Sequence, residues 1–170
     1  MFTGVSPVSE SAPLPLVLTR RSPQPPPQSL APPLALALSA DERTRLRGQR
    51  RSLCGQELLL QLERGEPLQP GEWLGGARGG PAVQVVAAPE TLLRVRAPAP
   101  LELLQAAYHL GNRHVALELR ATELRLLADP VLADLLAHRG LLVDRLQEPF
   151  CPEAGAYGSA PSHGSAHSHG

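Results

Sequence analysis

The chain of 170 residues contains no lysine: its sixteen basic residues are all arginine, and sixteen carboxylates balance them to a formal net charge of zero. No net field draws it to nucleic acid or to an anionic membrane, so any recognition is local. Aromatic residues make up 3%, and without an RNP-like aromatic strand the stacking platform of an RNA-binding sheet is missing. The two cysteines, Cys54 and Cys151, stand far apart with no CxxC spacing. That argues against a disulfide framework or a thiolate zinc site and points to a reducing compartment. No apolar run approaches the roughly 20 residues that cross a bilayer. The N-terminus carries an acid and several prolines where a signal peptide has a basic start and an unbroken apolar run. The expectation is a soluble, cytoplasmic protein. Neither HExxH nor a Ser-His-Asp pattern occurs, so an enzyme is not expected.

What is present reads as an α+β chain. Residues 1–13 and the proline-rich stretch 22–33 lack periodicity and are expected to be extended and poorly packed. The PxxP at Pro23–Pro26 reads as a connector. Between them "PLVLTRR" is one short strand. From Leu34 onward, "LALALS", "TRLRGQ", "ELLLQLERG", "GEWLGGARGG" and "PAVQVVAA" alternate with Gly and Pro punctuation, which favours short antiparallel strands in a small β-domain over 14–89.

After Pro89 the pattern changes. "TLLRVRA" is a strand, Pro100 suits a first helical turn, and Leu101, Leu104 and Tyr108 follow at helical spacing, with Leu103, Ala107 and Leu110 widening that face. The helix is expected to close on Gly111-Asn112 in the left-handed conformation. "VALEL" and "ELRLL" are two further strands. Asp129 as N-cap, Pro130, the stripe Leu132, Leu135, Leu136 and the terminator Gly140 spell a second helix, and "LLVDRL" closes the unit. The order β-α-β-β-α-β over 90–157 is that of a ferredoxin-like domain. Residues 158–170 hold only small residues, proline and histidine, and are expected to form a flexible tail.

Six histidines are the candidate chemistry. His138, in the last turn of the second helix, is accounted for by the helix dipole. His109 suits a partly buried role, bonded to a backbone carbonyl. His114 sits at a junction where it can project toward solvent or a second chain, and a twofold dimer would bring two copies together. His163, His167 and His169 lie in the tail, where short histidine tracts are read compositionally as metal-binding. Imidazoles without clustered thiolates suit nickel, copper or zinc, and ligand type alone does not choose among them. Binding needs neutral rings, of unperturbed pKa about 6.5, so affinity falls in mild acid.

"YHLGNRHVALEL", "ELRLLADPVLADLLAHRGLLVDRLQEPFCPEAGAYG" and the tail closely resemble the urease accessory protein E family of nickel metallochaperones. The resemblance covers Leu14 to Gly170, and "HLGNRH" and "PFCPEAGAY" are its most specific parts. It implies a β-rich first domain like a co-chaperone peptide-binding module, then a ferredoxin-like metal-binding domain that forms a homodimer. It also implies His114 as the interfacial nickel ligand, His109 as a less secure one, and His163, His167 and His169 as added ligands. Ni(II) would be cargo, with Zn(II) or Cu(II) binding in vitro. The expected partners are the urease accessory GTPase and the apo-urease assembly complex. Extra histidines that some relatives carry before the second helix are replaced here by "LLADPV". The competing reading is a peptide-binding or scaffolding module without metal.

Overall fold

The computed structural model describes residues 14–26, 31–77 and 79–154. The expected N-terminal extension over 1–13 and the histidine tail over 158–170 lie outside the described residues, as does part of the proline-rich stretch. The chain is α+β and divides into two compact units, one up to Val86 and one from Ala87 onward.

The first unit holds β1 (Leu16–Leu18), β2 (Arg20–Ser22), β3 (Leu34–Leu38), a short helix α1 (Ala40–Arg43), β4 (Arg47–Arg51), β5 (Glu57–Gln61), β6 (Trp73–Gly75) and β7 (Val83–Ala87). "PLVLTRR" is therefore two strands rather than one, and they enter different sheets, ordered β1-β5-β4 and β2-β6-β7-β3. The pairing is also not antiparallel throughout: β1 runs parallel to β5, Leu16 opposite Leu58 and Leu18 opposite Leu60. Strands this distant in sequence are not joined by a hairpin, so turn chemistry sets no direction for them; what pairs them is burial of both leucine rows. Leu18, Leu36, Leu38, Leu58, Leu60 and Leu74 are buried in one cluster. Each contributes roughly 1.5–3 kcal/mol relative to exposure.

The helix α1 was not anticipated. A capping box starts it: Ser39 Oγ accepts from the Glu42 amide at 3.2 Å, and Glu42 Oε2 accepts from the Ser39 amide at 2.9 Å. In β4, Gly48 and Arg50 take the inward positions, opposite Leu60 and Leu58. Arg50 Nη1 donates to the Gln49 carbonyl at 2.7 Å. Its Nε and Nη2 are buried without a partner among the described residues.

The second unit runs β8 (Pro89–Arg96), α2 (Pro100–Gly111), β9 (Glu118–Leu119), β10 (Leu124–Leu127), α3 (Pro130–His138) and β11 (Leu142–Pro149). Its sheet is ordered β11-β8-β10-β9, with every pairing antiparallel. Leu93, Val95, Leu124 and Leu126 line one sheet face and share a core with Leu103, Ala106 and Leu110 of α2 and with Leu132 and Leu136 of α3. Both helices therefore pack on that face.

Helix α3 matches its sequence signals. Asp129 accepts from the Leu132 amide at 2.9 Å, Pro130 opens the first turn, and Gly140 adopts φ 81° just past the end. Helix α2 departs from expectation in which side it buries. Leu103, Ala106, Ala107 and Leu110 face the core, whereas Leu101, Leu104 and Tyr108 are 63%, 67% and 67% exposed. Burying both stripes would take nearly the whole circumference of the helix, and the sheet covers only one side.

Candidate functional site

The C-terminal end of α2 is built from its last carbonyls. Helix termini leave four C=O groups without intrahelical partners, and these need other donors. Here the Asn112 amide donates to Tyr108 O at 3.0 Å, and the Arg113 amide turns to Leu110 O at 3.0 Å instead of reaching His109 O. The His114 amide donates to Gly111 O at 2.9 Å and the Val115 amide to Leu110 O at 3.1 Å. The last two form a Schellman closure, with the half-buried Val115 packing into the same core as Leu110.

This closure requires a left-handed residue, and that residue is His114, at φ 56°. The expectation of left-handed Gly111-Asn112 is thus corrected: Gly111 is the last helical residue and Asn112 has φ −62°. The stop falls two residues later because Val115 is the apolar residue that can reach Leu110. His114 is the only non-glycine with positive φ among the described residues. Such a conformation costs roughly 1–2 kcal/mol. Helix α3 closes with the same pair of bonds, Gly140 amide to Ala137 O at 2.9 Å and Leu141 amide to Leu136 O at 3.2 Å, and there glycine fills the left-handed position.

His114 is exposed, and its ring makes no hydrogen bond among the described residues. His109 is half-buried. Its ring meets Tyr108 edge-on, with centroids 5.6 Å apart, and it too lacks a hydrogen bond among the described residues, so the expected bond to a carbonyl is absent. His138 is exposed on α3, its Nδ1 2.7 Å from the Asp134 carbonyl. His163, His167 and His169 lie outside the described residues. Among the described residues, no three metal-ligating side chains converge within one chain.

The chain beyond β11 returns to the residues that begin β9. Phe150 is fully buried. The Cys151 amide then donates to Glu118 Oε2 at 2.9 Å, and the Glu153 amide donates to Leu117 O at 2.8 Å. β11 and β9 are the two edges of the sheet, so residues 150–153 form a strap across three strand spacings, roughly 14 Å. The strap ties Cys151 and Glu153 to Glu118 and Leu117, four and three residues after His114. Glu118 anchors it from a buried position, held also by Arg120, whose Nε is 2.8 Å from Oε1. Cys151 and Cys54 are both free and exposed. The Ser52 hydroxyl, 3.1 Å from Cys54 Sγ, holds that thiol below its usual pKa.

Two residues here were missed in the sequence. Arg113 Nη1 donates to the His109 carbonyl at 3.1 Å, the carbonyl its own amide abandons. An arginine two residues before the first apolar residue of the expected strand is a weak signal, although basic side chains commonly cap helix C-termini. Glu118 alternates with the leucines of "VALEL" and reads there as an ordinary outward strand residue.

These features define a small α+β protein that presents an exposed histidine on a left-handed backbone at a helix end, with the chain after its last strand tied to the short strand that follows that turn. Residues 90–170 match the family model described as UreE urease accessory protein, C-terminal domain. Similar proteins, each named urease accessory protein UreE, occur in Synechococcus sp. strain WH7805, Parasynechococcus marenigrum strain WH8102 and Thermosynechococcus vestitus. The first is 61% identical over 130 residues, covering 76% of this chain and 74% of the relative. The second is 60% identical over 124 residues, covering 73% and 83%. The third is 50% identical over 133 residues, covering 78% and 92%. The chain belongs to the UreE urease accessory protein family. It is an accessory chaperone of urease maturation, not an enzyme. Among the described residues no helix is long and apolar enough to cross a membrane.

Proposed function

We propose that the chain is a nickel-binding metallochaperone of the cytoplasm, which delivers Ni(II) to apo-urease through the urease accessory GTPase complex. Residues 14–89 act as the β-rich domain and 90–157 as a ferredoxin-like metal-binding domain that forms the homodimer. The tail, 158–170, supplies ligands. His114 from each protomer holds the ion at the twofold axis, with His163, His167 and His169 completing its coordination and His109 near the site. Zn(II) or Cu(II) can occupy the same imidazoles in vitro.

The observation that carries this reading is His114 itself. It is exposed, costs backbone strain, and stands where the equivalent turn of α3 uses glycine. Strain kept at an exposed residue whose ring makes no hydrogen bond among the described residues points to a role for its side chain. Two further features support the dimer and the tail. The exposed stripe Leu101, Leu104, Tyr108 runs along α2 toward the end that carries His114, and two copies of it can bury each other across a twofold axis. The strap brings the chain at Glu153 to that same end of the unit. An ion shared between fixed and tail imidazoles is released one ligand at a time, which suits transfer more than storage.

The test is nickel titration with mass determination on the intact protein and on His114→Ala. Sharply lower affinity in a dimer that stays folded is expected. Nickel binding that persists unchanged in His114→Ala and in a chain cut after Tyr157 would instead favour a peptide-binding or scaffolding module in which these histidines are incidental.

A further inference from the structure

Every backbone acceptor in the last turn of α2 has a donor, but one donor is unusual. The Tyr108, Leu110 and Gly111 carbonyls take amides, whereas the His109 carbonyl is left over because the Arg113 amide has turned to Leu110. The Arg113 guanidinium fills that gap from an exposed side chain. Without it, the Arg113 amide could return to His109 O in the ordinary helical pattern. In the matching turn of α3 the Arg139 amide likewise turns to Leu136 O, at 3.1 Å, with no donor to Leu135 O among the described residues, so the closure does not require such a guanidinium and Arg113 adds a donor that biases the α2 turn toward it.

We propose that Arg113 is a positioning residue for the His114 ligand: its side chain, by taking the His109 carbonyl, stabilises the turn that sets the direction of the His114 imidazole. The proposal rests on the reading of His114 as a metal ligand. Its sign is opposite to that of the obvious electrostatic effect. A guanidinium beside a cation site repels the ion, so removing the charge would by itself tighten binding. If positioning dominates, removing Arg113 weakens binding instead.

Nickel affinity of the full-length dimer is measured by equilibrium dialysis for the intact protein, Arg113→Met, Arg113→Lys, His114→Ala and the double variant Arg113→Met/His114→Ala. Arg113→Met is expected to lower affinity about tenfold, the scale on which groups that orient a ligand act. Arg113→Lys can still reach a terminal carbonyl and is expected to stay within about twofold of the intact protein. The double variant should bind no more weakly than His114→Ala alone, because Arg113 acts through that ring. Amide exchange at His114 and Val115 should quicken in Arg113→Met and recover in Arg113→Lys. Unchanged or tighter binding in Arg113→Met, with binding lost in His114→Ala, overturns the positioning role and leaves the ligand reading standing. Unchanged binding in His114→Ala overturns the ligand reading. Weakened binding with unchanged exchange also overturns positioning. Should Arg113→Met fail to give a folded dimer, Arg113→Gln decides in its place by the same readouts.

Discussion

Replacing His114 by glycine separates what this residue costs from what it does. At φ 56° the histidine side chain crowds its own backbone, while the ring is exposed and makes no hydrogen bond among the described residues. Glycine adopts this conformation without that penalty, as Gly140 does at φ 81° in the matching turn of α3. The left-handed penalty of roughly 1–2 kcal/mol is partly offset by the greater freedom glycine has in the unfolded chain, so a net gain of about 1 kcal/mol is expected. For a cooperative unit of 60–100 residues, that raises Tm by roughly 4–8 °C. Alanine keeps the penalty and should give a Tm at or slightly below that of the intact protein. Both variants should lose nickel affinity to a similar extent. Calorimetry and equilibrium dialysis on the three proteins give a pattern no single role can mimic: glycine stabilises and alanine does not, and both bind poorly. A glycine variant that is less stable, or that binds nickel normally, would refute the argument that the strain is retained for the imidazole.

Other consequences can be measured independently. Arg50 buries Nε and Nη2 without partners among the described residues, opposite Leu58. Arg50→Met, which keeps most of the stem, should therefore stabilise the protein by about 1 kcal/mol in thermal unfolding. Asp144 accepts from Arg94 Nε at 2.9 Å and Arg96 Nη2 at 3.1 Å, and these guanidiniums, Arg94 foremost, hold its carboxyl below the usual range. Its contribution to stability is complete above the unfolded value near 3.9 and is lost as pH falls through the depressed folded value. Carboxyl NMR titration should show the low midpoint, and Asp144→Asn should flatten the acid side of the stability profile. Leu104→Glu places a charge in the exposed stripe of α2, so light scattering should detect monomers while circular dichroism stays unchanged. A dimer that survives this change would place the interface elsewhere.

Much of the second unit could be read before any coordinates, because its signals are local. Asp129, Pro130 and Gly140 act within one turn of their own positions, and the structure uses all three as their chemistry predicts. The exposed side of α2 was not legible, since Leu101, Leu103, Leu104, Ala106, Ala107, Tyr108 and Leu110 supply two overlapping stripes and periodicity does not say which one meets a sheet. The left-handed position was misplaced for a related reason. Gly111 and Asn112 have the better intrinsic preference, but the Val115 contact with the core decides where the helix ends, and that is tertiary information. The parallel pairing of β1 with β5 was equally closed to local reading. At the site, His114 could be singled out from its setting and from the motif of the family the chain resembles. The strain that marks it, and the guanidinium behind it, appear only when the carbonyls are accounted for one at a time.

The strap from Phe150 to Glu153 has a consequence for how such a protein can vary. The sheet ladders end at Pro149, and the two bonds that tie the chain to Leu117 and Glu118 end at Glu153. Residues added or removed beyond that point break none of the hydrogen bonds described here. A change in length beyond Glu153 therefore leaves untouched both the edge-to-edge tie and the ladders it closes.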